Sequence, residues 1–362
     1  MRVLLVIGTR PEAIKMLPLA KELEKYREFE PLICFSGQHK TLADNVFNFF
    51  QIAPHYSFDR ADKFQNLKEM TSAFLDFFDM IFKEISPDIV LTHGDTTTAF
   101  CASLSAFYRG IKIGHIEAGL RTHNPFSPFP EEFNRVAIDT LATYHFAPTE
   151  VAAKNLLSEG RNSVFTVGNT CIDALKYTLS QSYSSPILEE AKGKKIILIT
   201  THRRENLGDK MTSALLGIKD AIQDRNDVLA IVPAHPNPLV KEAVKLVFDD
   251  VKNIKICNPL PLYDFHNILS RSFAIISDSG GVQEEASYLG IPLFLLRDNT
   301  ERPECLMCGN TRLIGTHRET VFKEISWAIN NPQHVQKMRV SSLVFGDGHA
   351  CEKISKKLLS LR

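Results

Sequence analysis

The sequence has no apolar run long enough to cross a bilayer and no imbalance of charge. Lys plus Arg and Asp plus Glu each total 42, which excludes the broad basic surface that nucleic acids and anionic membranes require. Any anionic ligand must therefore be held by local groups. Cysteine is sparse and unpatterned: seven residues, odd in number and scattered, make no disulfide framework and fit a reducing compartment. Cys305 and Cys308 form a lone C-x-x-C with neither a second pair nor histidines at ligand spacing, so they read as ordinary small residues. The apolar start at 3–7 is shorter than a signal-peptide core and leads into a charged helical pattern. It reads as a first strand, and the cytoplasm is the expected location. No Gly-x-Gly-x-x-Gly follows that strand and no P-loop occurs, which counts against NAD and against ATP-driven phosphoryl transfer. His93, His115, His123 and His235 fall at no metal-ligand spacing, and no metal is expected.

What is present is a chain of 362 residues, longer than a single core usually supports, with 44% hydrophobic and 23% charged residues; two folded domains are the expectation. Short β-rich apolar runs alternate with helical patterns, the mark of parallel α/β sheets. Strands are predicted at 3–8, 31–35, 89–93, 112–117, 144–147 and 164–167, and a second series at 195–200, 228–232, 254–257, 273–277 and 292–295. The polar stretch 180–194, with Pro186 and Gly193 as breakers, suits a hinge or exposed connector. Residues 351–361 carry apolar side chains at helical spacing and can return to the first domain. The expected division is a first domain at 1–170 joined by a terminal helix at 350–362, and a second at 171–349.

In open parallel sheets ligands sit beyond the carboxyl ends of the strands, where loops enter helix N-termini. Asp278-Ser279-Gly280-Gly281 is such a loop, and its backbone N–H groups and helix dipole suit a phosphate, although a plain Ser279 N-cap uses the same residues. Glu285, one turn into that helix, suits a pair of ribose hydroxyls; a surface glutamate is the plainer reading. Arg10 opens the first helix with Lys15 about a turn and a half further on, and Pro11 fits the first helical position. A cationic pair there suits a diphosphate, whereas Lys15 alone would be a solvated lysine. Asp95, Glu117 and Glu131 with His202 form an acid–base set. Each taken singly could be a cap or an ion-pair partner; that Asp95, Glu117 and His202 directly follow strands argues for catalysis.

In order along the chain stand GTRPEAIK, HGDTTTAF, HIEAGLRT followed by SPFPEEFNR, VGNTCIDAL, THRREN, HPNP, SDSGGVQEEASYLG and RDNTERPE. As a set they resemble the non-hydrolysing UDP-N-acetylglucosamine 2-epimerases. That resemblance implies two Rossmann-like domains with parallel sheets facing a cleft, the GT-B glycosyltransferase-like fold. It also implies no cofactor, UDP bound mainly to the second domain, and a homodimer. By the same resemblance Asp95, Glu117, Glu131 and His202 match catalytic positions, and Arg10 and Lys15 match substrate contacts. Ser279, Gly280 and Gly281 match the diphosphate loop, Glu285 the ribose contact, Phe265 the aromatic stacked on uracil, Arg302 a further contact and Leu260 a backbone contact. The implied reaction is reversible epimerisation of UDP-N-acetylglucosamine to UDP-N-acetylmannosamine through elimination of UDP and re-addition, feeding cell-surface polysaccharide synthesis. Open alternatives are a hydrolysing epimerase, an epimerase of a related UDP sugar, a GT-B glycosyltransferase and a non-catalytic UDP-sugar sensor. Many bacterial relatives also bind their own substrate as an activator at a second site. Gln38, His39, Gln65 and His235 match that site, but Thr41 stands where relatives have glutamine and Phe64 where they have arginine. The expectation is weak or absent activation.

Overall fold

The computed structural model describes residues 1–38, 40–58, 64–203 and 206–361. The chain divides into two compact units, Met1–Tyr177 with Phe345–Arg362, and Thr178–Val344. In the first unit the strands are β1 (Arg2–Ile7), β2 (Glu30–Phe35), β3 (Tyr56–Ser57), β4 (Ile89–His93), β5 (Lys112–Ile116), β6 (Tyr144–Ala147) and β7 (Val164–Thr166). Between and after them run helices α1 (Arg10–Leu23), α2 (Lys40–Phe50), α3 (Leu67–Ile85), α4 (Thr97–Tyr108), α5 (Glu131–Leu141), α6 (Glu150–Ser158) and α7 (Thr170–Thr178). The second unit contains α8 (Pro186–Glu190), β8 (Lys195–Thr200), α9 (Asp209–Ile222), β9 (Val228–Pro233), α10 (Pro238–Phe248), β10 (Ile254–Cys257) and α11 (Leu262–Arg271). It continues with β11 (Ala274–Ser277), α12 (Gly280–Leu289), β12 (Leu293–Leu295), α13 (Glu304–Met307), β13 (Thr311–Leu313), α14 (Arg318–Asn330) and α15 (Pro332–Lys337). Helix α16 (Ala350–Ser360) packs against α1.

Both sheets are parallel and doubly wound. The first has the order β3-β2-β1-β4-β5-β6-β7, the second β10-β9-β8-β11-β12-β13. Strands such as β1, Val-Leu-Leu-Val-Ile after Arg2, are buried on both faces because helices cover both sides of the sheet. Helix α3 shows how a helix is recruited: Phe74, Phe77, Phe78, Ile81, Phe82 and Ile85 recur at one face and bury against Leu4, Val6 and Val90. Asn66 caps its start by accepting from the Glu69 N–H, and Ser86 ends it in the left-handed region at φ 48°. No helix among the described residues is long and apolar enough to cross a membrane.

The two-sheet α/β class is as the sequence predicts, with all eleven expected strands present to within a residue. The edge strands β3 and β13 are additions. The stretch 180–194 is not a bare connector: it carries α8, and Tyr183, Ile187, Leu188 and Ala191 pack on one core of the second unit. In each sheet the winding reverses at one place, between β1 and β4 and between β8 and β11. The loops leaving those four strands are where a doubly wound sheet opens a crevice.

Candidate functional site

At the first switch point, β1 ends in Gly8-Thr9 and α1 begins. Thr9 caps the helix in a capping box with Glu12, the T-x-x-E signature legible in the sequence. Glu12 is fully buried. Its Oε2 accepts from the Gly8 N–H (3.0 Å), the Thr9 N–H (2.7 Å) and the Thr9 hydroxyl (2.7 Å), and its Oε1 from the Thr96 hydroxyl (2.7 Å). Burial nevertheless raises its pKa to about 7 against those hydrogen bonds. Glu12 therefore ties the β1 loop to the β4 loop that carries Asp95.

Glu117 follows β5 at φ 64°, a left-handed conformation that costs a non-glycine residue energy and persists only where its surroundings hold it. Its carboxylate is buried, and Oε2 accepts from the Lys15 ammonium and from the Asn169 amide (2.5 Å). Lys15 is thus not a solvated lysine, and it meets a carboxylate from another element. His93 at the end of β4 is buried, and its Nε2, 3.8 Å from Glu117 Oε2, makes no hydrogen bond among the described residues. Burial pushes its pKa down to about 4, so the ring is neutral at ordinary pH. Asp95 pairs with Arg135, and its carbonyl accepts from the Asn134 amide (2.9 Å). Glu131 is the first residue of α5 and half-buried, beside Glu132, which accepts from the Thr122 and His123 N–H groups (2.9 Å each). Arg10 is half-buried at the start of α1.

At the second switch point, Asp278 is fully buried after β11 and organises the loop leaving β8. It accepts from the Thr201 hydroxyl (2.9 Å), the His202 and Arg203 N–H groups (3.1 and 3.0 Å) and the Asn206 amide (3.1 Å). The His202 imidazole is held above it, 38% exposed and stacked at 5.2 Å on His235 of the next loop. Ser279 occupies the N-cap of α12 without a side-chain capping bond among the described residues, and a helix N-terminus of this kind suits an anion. Arg302 reaches that terminus: a Cβ placed on Gly280 would meet its Nη1 at 2.8 Å. Glu301 gathers three guanidiniums here, from Arg203 (3.0 Å), Arg297 (2.7 Å) and Arg302 (2.5 Å), and Glu284 holds Arg302 Nε at 2.6 Å. Glu285 is buried, with Oε1 3.3 Å from His266 Nε2 and Oε2 without a hydrogen bond among the described residues, a carboxylate oxygen suited to a hydroxyl. Phe265 on α11 and Leu260 ahead of it are partly buried against the core, so Phe265 is part core residue.

Of the residues matched to an activator site, Gln38 accepts from the Thr98 hydroxyl (2.7 Å), and Gln65 is exposed ahead of α3 with its N–H on Glu69. His39 lies outside the described residues. The Phe64 ring belongs to an aromatic cluster with Phe58 and Phe74, at 6.0 Å from each. Sequence patterns assign no role to Glu12, Asn169 and Glu301, and they show Asp278 only as the first residue of the phosphate-type loop. Of the first three only Glu12 carries a signal, its capping-box position.

The chain matches the family model described as UDP-N-acetylglucosamine 2-epimerase over residues 21–359. It is 45% identical over 361 residues to the UDP-N-acetylglucosamine 2-epimerase of Bacillus subtilis, covering 99% of this chain and 95% of that one. Among solved structures it is similar to S. aureus MnaA in complex with UDP, with TM-score 0.95 and 41% identity, covering 100% of this chain and 97% of that one. It is equally similar in fold to the Neisseria meningitidis UDP-GlcNAc 2-epimerase bound to UDP-GlcNAc, with TM-score 0.95 and 39% identity, covering 99% and 100%.

Proposed function

The chain belongs to the UDP-N-acetylglucosamine 2-epimerase family, and from that membership we propose that it interconverts UDP-N-acetylglucosamine and UDP-N-acetylmannosamine without hydrolysis and without a cofactor. The product would supply an amino sugar for surface polysaccharide. Carbon 2 of the sugar has no neighbouring carbonyl, so loss of its proton alone leaves an unstabilised carbanion. Elimination avoids this: the anomeric C–O bond breaks, UDP leaves with the bonding pair, and a base removes the proton from carbon 2 to give 2-acetamidoglucal. Re-addition of a UDP phosphate oxygen to carbon 1, with a proton delivered to the opposite face of carbon 2, completes the inversion.

The observation that carries this reading is the Glu117 carboxylate, buried in a left-handed residue after β5, next to the first switch point, and held by Lys15 and Asn169. A base fixed by donors on other elements is suited to proton transfer at one defined position. Asp95, Glu131 and His202 complete the acid–base set, with Arg10 and Lys15 as cations. The start of α12 with Ser279, Gly280, Gly281 and Arg302 suits the departing diphosphate. The Glu285 Oε2 atom suits ribose, with Phe265 at the base and Leu260 giving a backbone contact. Proton NMR of UDP-N-acetylglucosamine with the enzyme in heavy water tests the reading. Expected are UDP-N-acetylmannosamine and deuterium at carbon 2 in both sugars; free N-acetylmannosamine as the main product would establish a hydrolysing epimerase instead.

Regulation by substrate at a second site, with Gln38, His39, Gln65 and His235 as its matched residues, is proposed to be weak or absent. A phenyl ring docked against Phe58 and Phe74 cannot make the forked, charge-assisted bonds of the arginine that stands at position 64 in relatives. The expected result is steady conversion of UDP-N-acetylmannosamine alone from the first moments. A lag abolished by a trace of UDP-N-acetylglucosamine would show that activation is retained.

A further inference from the structure

His115 lies in the middle of the first sheet, fully buried on β5, and is not in the proposed acid–base set. Its Nδ1 is 2.6 Å from Asp139 Oδ1 and its Nε2 is 2.7 Å from the Gly94 carbonyl oxygen. A carbonyl only accepts, and a carboxylate only accepts, so both bonds require a proton on both ring nitrogens. The other assignment puts the proton on Asp139, and the surroundings oppose it. Asp139 Oδ2 already accepts from Arg121 (2.8 Å) and from the Gly119 N–H (3.2 Å). Arg121 in turn binds Glu159 through two bonds of 2.7 Å. Glu159 is exposed, so the buried members of this cluster are His115, Arg121 and Asp139. The other titratable neighbours are His93 on β4 and His145 on β6, whose pKa values burial lowers, so neither competes for the proton.

We propose that the two ring nitrogens of His115 bolt the Asp95 loop to Asp139, making His115 and Asp139 positioning residues for Asp95 and Glu117. Gly94, at φ 62°, is held at both of its backbone groups by β5, its N–H by the Ile116 carbonyl (2.9 Å) and its carbonyl by His115. Asp95 follows directly. Through its other oxygen Asp139 holds Gly119, at φ 88°, two residues beyond Glu117. One buried pair therefore anchors both loops, which explains how a strained Glu117 conformation is kept. The kinetic part of the proposal rests on the catalytic roles given above to Asp95 and Glu117.

The test begins with the unmodified protein, labelled with nitrogen-15 at histidine. The His115 ring, assigned through its own backbone amide, is expected to show one-bond N–H correlations at both nitrogens, because both face acceptors. A single protonated nitrogen overturns the two-bond anchor. Kinetics then test positioning. His115→Gln keeps a donor that reaches the Gly94 carbonyl, His115→Asn keeps one that reaches Asp139, and Asp139→Asn weakens the anchor from the other side. In each, kcat is expected to fall roughly 10-fold to 100-fold while UDP affinity by calorimetry stays at the wild-type value, because UDP is assigned to the second unit. A folded variant of either residue with wild-type kcat overturns the positioning role. A wild-type enzyme that leaves UDP-N-acetylglucosamine unchanged would instead defeat the proposed reaction while leaving the two N–H signals in place.

Discussion

Glu12 shows how a single side chain can be structural and titratable at once. Burial lifts its pKa from the ordinary 4.5 to about 7, with the hydrogen bonds from Thr96, Thr9 and Gly8 opposing. The folded state therefore keeps a proton that the unfolded chain releases. The stabilisation is complete below about pH 4.5 and is lost as pH rises through about 7, a span worth about 3 kcal/mol. Gln copies the protonated form, accepting from the Gly8 and Thr9 N–H groups and donating to Thr96. Denaturation midpoints of Glu12→Gln are expected to match wild type at pH 5 and to lack the wild-type fall between pH 5 and 7.5. The acid–base residues follow a different rule, since removing charge should spare the fold and reduce the chemistry. Asp95→Asn, Glu117→Gln, Glu131→Gln and His202→Asn are each expected to lower turnover by roughly 100-fold with melting temperatures near wild type. Near-normal turnover in a folded variant would remove that residue from the set.

Among the elements, α12 separates two reasons for a glycine. A Cβ on Gly280 would press on the Arg302 guanidinium at 2.8 Å, whereas one on Gly281 meets nothing within 4 Å among the described residues. A demand for glycine at 281 would then come from the ligand. Gly280→Ala is expected to disturb Arg302 and weaken UDP binding even if the helix gains propensity. Gly281→Ala should leave the melting temperature of the free protein unchanged or slightly raised, and lose UDP affinity by about 10-fold or more if phosphate packs on that backbone. Calorimetry beside thermal melts separates the two, and Gly281→Ala with wild-type affinity would move the diphosphate away from this helix. The same element shows what sequence can carry. Its start was legible because Ser-Gly-Gly after a β-branched run is a local pattern, and the long strands were legible because apolar residues recur over several positions. Strands β3 and β13, of two and three residues, have no period to detect. The neighbours of Lys15 and Phe265 are not legible in the sequence, because Glu117 and the core residues around Phe265 come from remote segments.

Across the whole molecule, what the sequence left open is mostly what strand order decides. That β1 lies beside β4, and β8 beside β11, brings Glu12 to Thr96 and Asp278 to Thr201, His202 and Asn206. No window of neighbouring residues contains those pairs. The first unit is also discontinuous, and this has a consequence during synthesis. Its last piece, 345–362, is made only after the entire second unit, yet Asn169 donates to the Phe345 carbonyl (2.6 Å) and Asp173 caps α16 through the Ala350 and Cys351 N–H groups (3.1 and 3.0 Å). The earlier-made sheet must therefore wait on the ribosome with the α1 surface and the Asp173 carboxylate uncovered, while the later-made unit, continuous in sequence, can close first. Proteolysis of stalled nascent chains should find the second unit resistant while α7 and α1 are still cut. Protection of those helices should arrive only when the final segment clears the exit tunnel, so that chain order and folding order run in opposite directions.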